Sequence, residues 1–126
     1  MPARPAAVAG SLVLDVALVV AFAGIGRASH DSDVWLGLWQ TAWPFLAGLL
    51  LGWVLTRAWR APLALRRGLG IWGATLVGGM LLRLASGQGT APPFVLVAAV
   101  TLLVLLVGWR LATHGMRSRR RRAAEG

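Results

Sequence analysis

The stretch "LVLDVALVV", residues 12–20, decides how this chain is read. Eight of its nine side chains favour hydrocarbon, and the ninth, Asp15, carries a carboxylate. A charge in such a run is tolerable only if it faces other protein, pairs there, or takes a proton.

The rest of the chain points to lipid as its solvent. Of the 126 residues, 57% are hydrophobic and 13% charged, whereas about a quarter of an ordinary soluble domain is charged. The length holds one domain. Apolar residues fall in four blocks, at about residues 8–26, 39–57, 69–85 and 93–112. Each is near the roughly 20 residues needed to cross about 30 Å at 1.5 Å per residue. The predicted fold is therefore an all-α integral membrane four-helix bundle over residues 1–112. A basic tail, residues 113–126, follows it. Its "RSRRRRAAEG" is too polar for lipid and is expected to be disordered.

Composition excludes several kinds of chemistry. Without cysteine there is no disulfide framework, thiolate nucleophile or Cys-ligated metal. His30 and His114 are the only histidines, and the four-span topology puts them at opposite membrane faces, so neither zinc nor bis-His haem is expected. No Ser/His/Asp set shares one depth, and no Gly-rich loop with Lys would cradle phosphate. No cofactor and no catalytic constellation is read here. A net charge of +9 resembles a nucleic-acid footprint, but the arginines flank the apolar blocks, as topology determinants do.

That placement also predicts direction, because basic residues in short loops stay cytoplasmic. Four spans put the N-terminus, the second loop and the tail on one side. That side holds Arg4, Arg57, Arg60, Arg66, Arg67, Arg110, Arg117, Arg119, Arg120, Arg121 and Arg122, leaving only Arg27 and Arg83 of the 13 for the other. Both termini are expected in the cytoplasm of a bacterium, with the chain in its inner membrane. The skew argues against dual topology. Cleavage of the first block as a signal peptide is disfavoured, since Asp15 interrupts it and the remaining spans would put the arginines out of phase.

Membrane helices associate through small residues that let backbones approach. Gly70, Ala74 and Gly78 make one smooth face of the third span, and Gly48 with Gly52 does so on the second. These are the candidates for a contact between the second and third helices. Trp35, Trp39 and Trp43 form an i, i+4, i+8 stripe suited to the outer headgroup level, and Trp59 and Trp109 suit the inner one. Pro44 is harmless if the second helix starts nearby, but removes a hydrogen bond if it starts at Trp35.

Asp15 lies about 10 Å inside the cytoplasmic boundary, where insertion costs about 2.5–3.5 kcal/mol. Arg110, about 3 Å inside the same boundary, is the partner best matched in depth, and a guanidinium reaches across the remaining 7 Å or so. Arg83 is about 12 Å further along the axis. Thr75 and Thr101 offer hydroxyls nearer mid-depth. Three roles follow for Asp15: a structural pin between the first and fourth helices, a proton- or cation-coupling group, or a counter-ion for a ligand. A second polar cluster, Arg27, His30, Asp31, Asp33, Gln40, Thr41 and Arg83, gathers at the outer face, as a solvated loop or as a headgroup or proton-handling site. Arg117, Arg119, Arg120, Arg121 and Arg122 suit anionic lipid headgroups.

A spaced signature runs through these residues: Asp15, then "GR" (Gly26, Arg27) with His30, "PF" (Pro44, Phe45), Arg83, "FV" (Phe94, Val95) and "WR" (Trp109, Arg110). It resembles the bacterial membrane proteins grouped as domain-of-unknown-function family 3054, common in actinobacteria. The resemblance spans Asp15 to Arg110 and brings no known activity. It implies that these polar residues are the first to test. The expected function is that of a non-enzymatic accessory or scaffold component of the membrane, self-associating or partnered with another subunit. The alternative is a small oligomeric proton- or cation-coupled transporter or channel using Asp15. A lipid-acting enzyme built on His30 lacks a recognisable base–nucleophile pair.

Overall fold

The structure, a computed structural model, describes residues 4–27 and 34–125. His30, Asp31 and Asp33, and the side chains of Arg27 and Trp35, lie outside the described residues. Helix α1 spans Pro5–Arg27, α2 Val34–Thr56 and α3 Leu65–Ala85, with a short 3-10 turn at Ala58–Arg60. The last three segments run on as one rod: α4 (Pro92–Leu102), a π-helical turn (Leu103–Val107) and α5 (Gly108–Glu125). Among the described residues there is no strand. Four helices among the described residues are long and apolar enough to cross a membrane.

The outer surfaces of the helices are apolar. Val54, Leu55, Val77, Leu81, Leu96 and Val104 are all more than half exposed. In water such a surface would be an aggregation hazard, whereas in hydrocarbon it costs nothing. Close approach therefore has to come from small side chains. A methyl group placed on Gly48 would lie 2.9 Å from the Thr75 carbonyl oxygen and 3.0 Å from that of Ala74. One on Gly52 would meet Ile71 Cα and Ala74 Cβ at 3.0 Å, and one on Gly78 would meet Gly48 Cα at 3.2 Å. Gly70 faces the Thr56 methyl in the same seam, so the five small residues line the α2–α3 contact.

Helix α2 begins at Val34, which makes Pro44 an interior proline and removes the donor that the Gln40 carbonyl would otherwise accept from. Its C-terminus is closed by Arg57 in the left-handed conformation, φ 52°. Arg67 of α3 donates to the Thr56 and Arg57 carbonyls at 2.7 and 2.6 Å, placing a cation at the negative end of the helix dipole.

The tail expected to be disordered is helical as far as Glu125. Arg and Ala are strong helix formers, and here they extend a helix already nucleated in the fourth span, so no new nucleus is needed. Ahead of the tail, the π turn corrects a mismatch of phase. Ala98, Leu102, Leu106 and Arg110 are all buried and spaced by four. Steps of four overshoot a 3.6-residue turn by about 40°, so three of them swing Arg110 about 120° away from Ala98. The wider winding of a π turn takes back part of that swing.

Candidate functional site

The bundle has a charged end and an aromatic end. Asp15 on α1 and Arg110 on α5 meet at the end that carries both termini, each with a wholly buried side chain. They form a two-pronged pair: Arg110 Nη1 donates to Asp15 Oδ1 at 3.0 Å and Nη2 to Oδ2 at 2.7 Å. This fork-to-fork geometry is the strongest arrangement that guanidinium and carboxylate can make.

Two indoles complete the carboxylate. Trp53 Nε1 on α2 donates to Oδ2 at 2.8 Å, and Trp109 Nε1 on α5 donates to Oδ1 at 2.9 Å. Four donors on two oxygens use the whole acceptor capacity of a carboxylate. Arg110 is almost as fully engaged. Its Nε donates to the Pro62 carbonyl at 2.7 Å, Nη1 also reaches the Leu106 carbonyl at 2.8 Å, and its Cζ lies 4.6 Å from the Trp109 ring centre. The site joins α1, α2, the α2–α3 loop and α5. Gly68 makes room for it, since a methyl there would sit 2.8 Å from Arg110 Cδ.

Helix rise places Asp15 and Arg110 at compatible depths, and the structure brings them together. Thr75 is elsewhere, donating to Ile71 of its own helix at 2.6 Å. Trp109, expected as an interface anchor, turns its indole N–H inward to Asp15. Trp39 and Trp59 are exposed, and Trp43 is half-buried. Sequence reasoning does not single out Trp53. One signal was available: an indole N–H inside an apolar span needs an acceptor, and Asp15 is the carboxylate within the spans. A Trp53→Phe substitution is expected to cost about 1.5 kcal/mol, the low end for a hydrogen bond to a charged group, read as a lower unfolding midpoint in detergent.

Arg83 belongs to the other end. It closes its own loop, donating from Nε to the Gly89 carbonyl at 3.0 Å and from Nη1 to Gln88 Oε1 at 3.2 Å, while stacking 4.4 Å above Phe94. Phe94 packs with Phe22 and Phe45, whose rings meet edge to face at 5.2 Å. Among the described residues no group of acids and histidines is arranged to hold a metal ion.

No curated protein and no solved structure matches this chain. The model of one family does, over residues 12–113, a range that opens just before Asp15 and closes just after Arg110; its description reads "Protein of unknown function (DUF3054)". The chain belongs to that family, DUF3054.

Proposed function

We propose that the protein is a non-enzymatic, multispanning component of the bacterial inner membrane, a scaffold or accessory subunit with both termini in the cytoplasm. Asp15 serves it as a structural pin. The observation that carries this reading is the saturation of the carboxylate: four donors from α2 and α5 fill it, and its side chain is wholly buried. A coupling group must exchange its proton or ion with water on each side in turn, and a carboxylate so enclosed has no free acceptor position for either. The lipid-facing surfaces leave room for a second copy or another membrane subunit, and the arginines of α5 face anionic headgroups.

Asp15→Asn tests the pin. The amide keeps the shape of the side chain but points an N–H where a donor already stands. Stability in detergent is expected to fall by about 2–3 kcal/mol, the scale of hydrogen bonds to a charged group. Proteoliposomes of the parent protein are expected to show no pH-dependent ion flux. A substituted protein that stays fully stable but loses a flux present in the parent would make Asp15 a coupling group, and the transporter reading would replace this one.

A further inference from the structure

Above the buried pair, the same end of the bundle opens into a cleft of about 810 Å³, within the roughly 300–1,000 Å³ of ligand pockets. Three segments meet in it. Arg4 comes from just before α1, Pro62 and Leu63 from the α2–α3 loop, and His114 and Arg117 from α5. The floor is held from below. The Pro62 carbonyl accepts from Arg110 Nε at 2.7 Å, and the Leu63 carbonyl, which can only accept, takes a hydrogen bond from His114 Nε2 at 2.9 Å.

The charge in the cleft is one-sided. The acids among the described residues are Asp15, consumed in its pair, and Glu125, eight residues beyond Arg117 and so about 12 Å further along α5. Helices α1 and α3 both begin beside the cleft, and Ala64 caps α3 without a side-chain hydrogen bond. Their first-turn N–H groups therefore add positive potential to that of the two guanidinium groups. The rest of the lining is apolar: two alanines before α3, Leu63, and Ala7 on α1.

We propose that this cleft binds a phosphate group, held between Arg4 and Arg117, and that the phosphate belongs to an anionic glycerophospholipid whose glycerol lies against the alanine and leucine wall. Arginine's planar fork suits phosphate oxygens, and the cleft stands where the spans leave the hydrocarbon. This site does not depend on the role of Asp15, which is sealed beneath it, so either proposal can fail alone.

Binding is measured on the full chain in detergent, with phosphatidylglycerol titrated against phosphatidylcholine and lipid retention read by native mass spectrometry. Arg4→Gln/Arg117→Gln is expected to weaken phosphatidylglycerol binding about tenfold or more. Arg120→Gln/Arg121→Gln removes the same charge from α5 outside the cleft and, because these side chains do not hold the phosphate and their attraction is screened in solution, is expected to weaken it less than about threefold. Both arms use folded protein, checked by an unchanged melting midpoint. Equal losses in the two double variants would mean diffuse attraction and would overturn the site. So would an absence of any preference for phosphatidylglycerol. Inorganic phosphate and glycerol 1-phosphate form the soluble arm. Displacement of lipid by either at matched concentration would support a phosphate site while removing lipid as its source.

Discussion

Arg110→Leu is expected to be the most damaging of the polar substitutions, lowering stability in detergent by about 3–5 kcal/mol, the cost of breaking a buried pair by removing one partner. Leucine suits the surrounding hydrocarbon, so the penalty lies in what it abandons. Asp15 keeps two indole donors but has no counter-charge in a wholly buried position. The Pro62 and Leu106 carbonyls lose their side-chain donors as well. Adding Asp15→Asn to Arg110→Leu removes the stranded charge, and the double variant is expected to recover part of the loss. Unfolding followed by tryptophan fluorescence suits this cycle, because Trp53 and Trp109 both report on the site. Strictly additive losses would show that the two side chains are not coupled, and the pin would be abandoned.

The second large effect belongs to the α2–α3 seam. Gly48→Leu is expected to destabilise by more than about 3 kcal/mol, beyond the usual cost of overpacking, and to leave the two helices unassembled. The reason is what the new side chain would strike. Its first carbon would meet the Thr75 and Ala74 carbonyl oxygens at 2.9 and 3.0 Å. Those are main-chain atoms that no rotamer change can move, so the helix axes must part. Gly73→Leu is the matched control, since a methyl there meets nothing within 4 Å, and it is expected to be close to neutral. Cysteine cross-linking between α2 and α3 distinguishes the two variants. Efficient cross-linking in Gly48→Leu would show that the seam tolerates bulk.

A buried ion pair is weak evidence for stability, because removing two charges from solvent costs several kcal/mol before any is returned. Its value here lies in selection among arrangements. Lipid-facing helices slide and rotate against one another at little cost, as every face is apolar. Few rotations bring one carboxylate under two indoles and a guanidinium together. Specificity of this kind also explains why the arginine reaches the loop: Nε fixes Pro62, so the α2–α3 connection is set by the same residue that sets α1.

The axial coordinate of the fold was open to reading from the chain, and the rotational coordinate was not. A rise of 1.5 Å per residue gives depth, and depth brought Asp15 to Arg110 and set Arg83 apart. The α2–α3 seam is the exception, where the four-residue spacing of Gly48 and Gly52, and of Gly70, Ala74 and Gly78, marks one face of each helix. Rotation depends on periodicity, which is faint when leucine and valine surround a helix on all sides. Trp53 and Trp109 were therefore missed as carboxylate donors, although one lies within a span and the other beside Arg110. The π turn has no sequence mark beyond the four-residue spacing of Ala98, Leu102, Leu106 and Arg110. The helical tail was misread because charge was weighed without the helix already running into it.

The offset of 95 positions between Asp15 and Arg110 bears on biosynthesis. Asp15 lies on α1 and its counter-charge on α5, so the carboxylate is translated well before the residue that neutralises it. Until α5 packs against α1, that acid lacks the guanidinium that pairs with it. A chain interrupted between α2 and α5 leaves Asp15 without its guanidinium and without the Trp109 indole, keeping at most the Trp53 donor.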